Sequence, residues 1–185
     1  MLGERVSENE AMRLSHTSTV IGMLALAVGL ATAGLAQTAP PAGTPTGPNA
    51  LMQLSRRECA QAARIMGNAL PIYNGHRVKA IEIAKIAIDE IKLGIQYDRG
   101  RGGGTTTSAA LQKRLAALEN MTEPGGNYTK KQNMQSNRKM QRAAAVLTQA
   151  AANLQAAPKD YGGHRTFALQ MVNLALGQIQ KALGS

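Results

Sequence analysis

Apolar residues recur at helical spacing in four long stretches of this chain, and one stretch is written twice. Ile81, Ala84, Ile88, Ile91 and Ile95 step 3-4-3-4, and Ile83, Ile86 and Leu93 widen the apolar side. Such a stripe marks one face of an amphipathic helix, which the pattern places at about 76–96. Lys79, Glu82, Lys85, Asp89 and Lys92 supply its mixed-charge outer face. The same pattern returns 88 positions later in Leu169, Val172, Leu176, Ile179 and Leu183, and predicts a helix from about His164.

A helix precedes each of these. The first starts near Asn49, an N-cap residue type, and carries Leu51, Leu54, Ala62, Ile65, Met66 and Ala69. Pro71 is expected to end it, because proline has no N–H and disfavours helix in the residue before it. The other spans about 129–157, with Met140, Ala143, Leu147, Ala150 and Leu154 as its seam and Pro158 as its stop. With one gap between proline and tyrosine, Ala63 aligns with Ala150 and Ala69 with Ala156. The expected fold is therefore all-α: a four-helix bundle of two duplicated hairpins, 49–96 and 130–185. The insert 97–129 joins them. It opens on the basic, glycine-rich run Asp98–Gly104, includes a short helix capped by Ser108 with Leu111, Leu115 and Leu118, and breaks again at Glu123-Pro124-Gly125-Gly126.

Residues 1–36 read as a signal peptide rather than as fold. Val20–Leu30 is an apolar run of the right length, and Gly34-Leu35-Ala36 is a small-residue cleavage site leaving Gln37 first. Met12-Arg13 makes a better start than Met1, so residues 1–11 are read as an over-extended start. Residues 37–48, with Pro40, Pro41, Pro45 and Pro48, read as a tether. The expected location is periplasmic or extracellular, with no transmembrane anchor in the mature form.

Charge changes the picture further. The whole chain carries a formal +10, and removing residues 1–36 takes away two basic and three acidic residues, leaving +11. Such a balance favours anionic partners. An anionic envelope component or a protein partner is expected; nucleic acid is not, because aromatic residues for base stacking are few. Cys59 is the only cysteine, so no internal disulfide forms. It is read as a buried thiol or as the site of an intermolecular bridge, and oligomeric state stays open. No G-x-S-x-G, H-E-x-x-H, P-loop or c-type haem motif occurs. The expectation is a non-enzyme without cofactor or metal.

The candidate site residues stand in a second feature of the repeat. Tyr73-Asn74-Gly75-His76-Arg77 and Tyr161-Gly162-Gly163-His164-Arg165 both read Y-x-G-H-R, and each occupies the turn of a hairpin. One reading is structural. Gly75 and Gly163 supply positive φ, the ring of Tyr73 or Tyr161 covers the open end with its hydroxyl wet, and His76, Arg77, His164 and Arg165 bond the orphan carbonyls of the preceding helix. The other reading brings the two tips together as a small-ligand or metal carrier. No carboxylate lies in either pentapeptide, which leaves a metal short of donors.

The run Ala157–Arg165 followed by an amphipathic helix resembles a segment of small exported bacterial helical proteins, themselves uncharacterised, in which a Tyr-Gly-Gly-His-Arg turn joins two helices. The resemblance covers each hairpin, and the first copy departs from it at Asn74. It implies fold and export, and brings no activity. The chain is thus expected to be an exported basic binding or structural module of the cell envelope.

Overall fold

The computed structural model describes Gly47, residues 49–102, Gly104 and residues 108–184. The expected signal peptide lies outside these residues, and so does the tether apart from Gly47. Five helices form: α1 Ala50–Gly67, α2 His76–Asp98, α3 Ser108–Ala116, α4 Lys130–Ala156 and α5 His164–Gly184. No strand occurs among the described residues.

Two helix starts have a clear local cause. Thr129 caps α4 through its hydroxyl, which accepts from the Gln132 N–H, while the Gln132 side chain accepts from the Thr129 N–H. Gly75 precedes α2 with a left-handed φ of 83°. Asn49 precedes α1 but makes no capping bond there; its side chain serves Asp98 instead. The stop of α1 also differs from expectation. It ends at Gly67, four residues before Pro71, where α4 takes up the polar groups of the turn: Ser136 Oγ accepts from the Leu70 N–H at 2.8 Å, and Lys139 Nζ donates to Asn68 O at 2.6 Å.

The four long helices pack as a closed set: α1 on α2, α2 on α5, α5 on α4 and α4 on α1. Specific bonds fix their directions. Ser55 of α1 reaches the Ala150 carbonyl of α4 at 3.2 Å, whereas Asn68, just beyond α1, meets Lys139. Early α1 therefore lies beside late α4. Likewise His76, at the start of α2, meets Gln178 of late α5, and His164, at the start of α5, meets Glu90 of late α2. Neighbours run antiparallel throughout.

The buried positions recur at a constant interval of 88. Met52, Cys59, Ala62, Met66 and Ala69 are buried in the first half, and Met140, Leu147, Ala150, Leu154 and Ala157 in the second. Ala80, Ala84, Ala87 and Ile91 correspond to Ala168, Val172, Ala175 and Ile179. The one-residue gap in the sequence alignment is thus unnecessary. It came from matching Pro71 to Pro158, and neither proline sets the register of the buried face.

The expected seams of α2 and α5 hold at Ala84, Ile91, Ile95, Val172 and Ile179, which are buried, and need a correction of one position elsewhere. Ile81, Ile88, Leu169, Leu176 and Leu183 are only partly buried and flank the core. Its centre is lined by Ala80, Ala84, Ala87, Ala168, Ala175 and Ala182, with Gly94 between them. Small side chains let the two helix backbones approach, so the bulky residues beside them close the flanks. A Cβ at Gly94 would stand 3.1 Å from Cβ atoms of both Tyr161 and His164. The α4 seam is as expected, all five residues fully buried.

Replacing Ile91 or Ile179 with alanine should lower unfolding free energy by about 2–5 kcal/mol, the usual cost of truncating a filled core position. Ile88→Ala and Leu176→Ala should cost clearly less. Urea denaturation followed by circular dichroism measures all four. Equal losses at both pairs would return the core to the Ile88 side.

Candidate functional site

The turn between α1 and α2 is built on positive φ at Asn74 (49°) and Gly75 (83°); that between α4 and α5 on Tyr161 (56°), Gly162 (66°) and Gly163 (86°). Asparagine and glycine tolerate this region, so the departure at Asn74 leaves the turn intact. Both turns close through equivalent backbone bonds, His76 N–H to Tyr73 O at 2.8 Å and His164 N–H to Tyr161 O at 3.3 Å.

The arginines do what the structural reading asks. Arg77 donates to the Met66 carbonyl at 3.0 Å and Gly67 carbonyl at 3.4 Å, at the end of α1. Arg165 donates to the Leu154, Gln155 and Ala157 carbonyls at 3.3–3.4 Å, at the end of α4. A cation is thereby placed on the negative end of each preceding helix.

The tyrosines and histidines behave differently from expectation. Tyr73 is buried, and its hydroxyl is not wet: Oη lies 2.7 Å from Ser136 Oγ and 2.9 Å from Asn137 Oδ1. Asn137 Oδ1 can only accept, so tyrosine donates to it and Ser136 donates to tyrosine. Desolvation pushes the Tyr73 hydroxyl above its ordinary pKa, against the Ser136 bond, which lowers it. Tyr161 is also buried, and its pKa is raised by desolvation, then by Asp98.

Neither histidine uses its ring to cap the preceding helix; each reaches across to the other hairpin. His76 Nδ1 lies 2.8 Å from Gln178 Oε1. His164, fully buried, has Nδ1 2.9 Å from Glu90 Oε2 and Nε2 2.8 Å from the Gly104 carbonyl. Gln178 stands 88 positions after Glu90, so the two contacts are counterparts. One uses a half-buried carboxamide; the other uses a carboxyl group that is 1% exposed.

The motifs also hold the insert. At its start, His164 takes the Gly104 carbonyl. At its end, Arg77 Nε donates to Glu123 at 2.7 Å and its NH2 forms an ion pair with the same carboxylate. Gly75 belongs to this clamp, since a Cβ there would run into the Met121 carbonyl. Between these anchors Arg114 of α3 pairs with Asp89 of α2 at 2.9 Å, and Lys79 donates to the Glu119 carbonyl at 2.7 Å. The insert thus lies along α2.

The two motifs do not meet. Fourteen helical residues separate His76 from Glu90, the partner of His164, an axial rise of roughly 21 Å. Among the described residues no three His, Cys, Asp or Glu side chains cluster as metal ligands do. Cys59 is fully buried, and its thiol pKa is pushed up to about 12 by desolvation, then by Glu58.

Opposite the insert, α1 and α4 carry an uneven charge. They hold eight cations: Arg56, Arg57, Arg64, Lys130, Lys131, Arg138, Lys139 and Arg142. Their one acid is Glu58, whose carboxylate accepts from Asn153 at 2.9 Å and whose pKa is raised by desolvation. None of the eight joins an ion pair among the described residues. By contrast α2 balances four cations with four acids. Arg64 and Arg142 flank a cleft of about 260 Å³ between α1 and α4, lined also by Gln61, Ile65 and Asn68.

Several partners escaped sequence reasoning. Glu123 and Ser136 lie far along the chain from the residues they bind, and no local pattern marks them. The Glu90–Gln178 pair had a signal in its interval of 88. The basic side was hidden because net charge was read for the chain rather than helix by helix. Comparison with protein-family models, curated proteins and solved structures finds no match.

His164→Ala should lower stability by about 3–5 kcal/mol, because it takes the hydrogen-bonded partner from a buried carboxyl group. His76→Ala should cost roughly 1 kcal/mol. The two losses should add, since the sites are far apart. Glu90→Gln rewrites the second contact in the chemistry of the first and should cost clearly less than His164→Ala. Thermal and urea unfolding of the single and double variants decide this; strong non-additivity would mean the motifs form one site.

Proposed function

We propose that this chain is an exported, non-enzymatic helical module that binds an anionic component of the bacterial envelope. The observation carrying this reading is the concentration on α1 and α4 of cations that join no ion pair among the described residues. Surface arginine left without acidic neighbours raises the local potential and attracts anions. The apolar run Val20–Leu30 and the cleavage pattern Gly34-Leu35-Ala36 support export. So does the resemblance of Ala157–Arg165 to small exported helical proteins.

The bundle is two copies of one hairpin. Support comes from the interval of 88, which relates buried residues, capping arginines and histidine contacts alike. The repeated Y-x-G-H-R motif then has a structural task in each copy. Binding is left to the helices the insert does not cover.

Expression of the full chain in a bacterial host, with mass spectrometry of the periplasmic and secreted fractions, should give an N-terminus at or close to Gln37. The same protein should be retained on a polyanionic resin and released as salt rises, because screening weakens attraction between exposed charges. A full-length cytoplasmic species, or no retention at low salt, would contradict the reading.

A further inference from the structure

Five of the eight cations of α1 and α4 fall on two stripes. On α1, Arg57, Gln61 and Arg64 step 4-3, and Asn68 at its C-cap continues the row; on α4, Lys131, Gln135, Arg138 and Arg142 step 4-3-4. Each set therefore lies along one helix face. All eight side chains of the two stripes are exposed. The shared cleft brings Gln61, Arg64 and Asn68 of the first stripe beside Arg142 of the second. Lys139, beside Arg138, reaches the Asn68 carbonyl at 2.6 Å, so the stripes also approach at that end. The second stripe alone extends over eleven helical steps, from Lys131 to Arg142, about 16 Å of helix.

We propose that these paired stripes bind a linear acidic polysaccharide, a reading that rests on the anion-binding function above. The guanidinium groups of Arg57, Arg64, Arg138 and Arg142 present planar forks matched to carboxylate or sulfate groups. The carboxamides between them both donate and accept, as sugar hydroxyls require. The two helices hold no aromatic residue, so a nucleic acid would find nothing on which to stack its bases. A bilayer needs apolar side chains to enter it. The stripes have none, and Met134 is the one large hydrophobic residue prominently exposed on α1 or α4.

Four probes test this with the mature protein: a fluorescent linear uronate oligosaccharide, a neutral dextran of equal length, a single-stranded DNA of matched charge, and phosphatidylglycerol vesicles. The uronate should bind more tightly than the DNA or vesicles, and the dextran should not bind. Arg64→Gln with Arg142→Gln should weaken uronate binding at least about tenfold, as expected for losing two charge-assisted contacts. A charge-matched control on α2, Lys85→Gln with Lys92→Gln, should stay within about twofold if the field of the whole protein is not the cause. Gln61→Ala with Gln135→Ala should weaken uronate but leave DNA binding unchanged. Circular dichroism and melting temperature confirm that each variant is folded. Equal losses in the stripe and control variants, tighter DNA or vesicle binding, or a uronate affinity untouched by the stripe variant would overturn the proposal while leaving anion binding in place. Binding to none of the anions would overturn the functional reading as well.

Discussion

The fold depends on how it treats the carbonyl ends of its helices. α1 and α4 each finish with oxygens that no later turn can satisfy, and each is followed by a tight reversal. Arg77 and Arg165 answer this by folding back over ten or eleven residues onto those oxygens. One guanidinium serves several acceptors and sets a positive charge against the negative helix end. The position of arginine just inside the next helix fixes how the two helices of a hairpin leave the turn. The left-handed residues before it make that return geometrically available.

From this constraint follows the division of labour around the bundle. The motif residues not spent on the turn bind what lies across from it. His76 and His164 tie α2 to α5, while Arg77 and His164 also clasp the two ends of the insert. The acids of α2 are used in this fastening: Asp89 holds Arg114, Glu90 holds His164, and Asp98 holds Lys159 at 2.6 Å. The Asp98 carboxyl is accordingly held below its ordinary pKa, first by the bond from Lys159. Among the described residues no ion pair engages the cations of α1 and α4, and all of them but the half-buried Arg56 are exposed.

Much of this was legible in the sequence. The helix starts at His76 and His164, the insert, its short helix and the α4 seam all follow from spacing and breakers. The arginine caps were legible too, because an arginine after a glycine turn has few other nearby acceptors. On α2 and α5 the expected face was right at Ala84, Ile91, Ile95, Val172 and Ile179 but one position off at Ile81, Ile88, Leu169, Leu176 and Leu183. Isoleucine and leucine dominate a hydrophobicity pattern, yet alanine and glycine line the closest approach, where a large side chain would hold the backbones apart. The histidine partners failed for another reason. A cap is a local contact, whereas Gln178 and Glu90 reach the histidines only once the hairpins are packed antiparallel.

The two Y-x-G-H-R turns sit at opposite ends of the bundle and act separately. The most direct test of this is a distance. Spin labels at Asn68 and Asp160, both exposed and each beside one turn, can be introduced as cysteines in a Cys59→Ala background. Pulsed dipolar spectroscopy should find them on the order of 25 Å apart, about the length of α1, with a single narrow distribution. A separation below about 15 Å, too short for turns at opposite ends of such helices, would bring the motifs together and contradict this account.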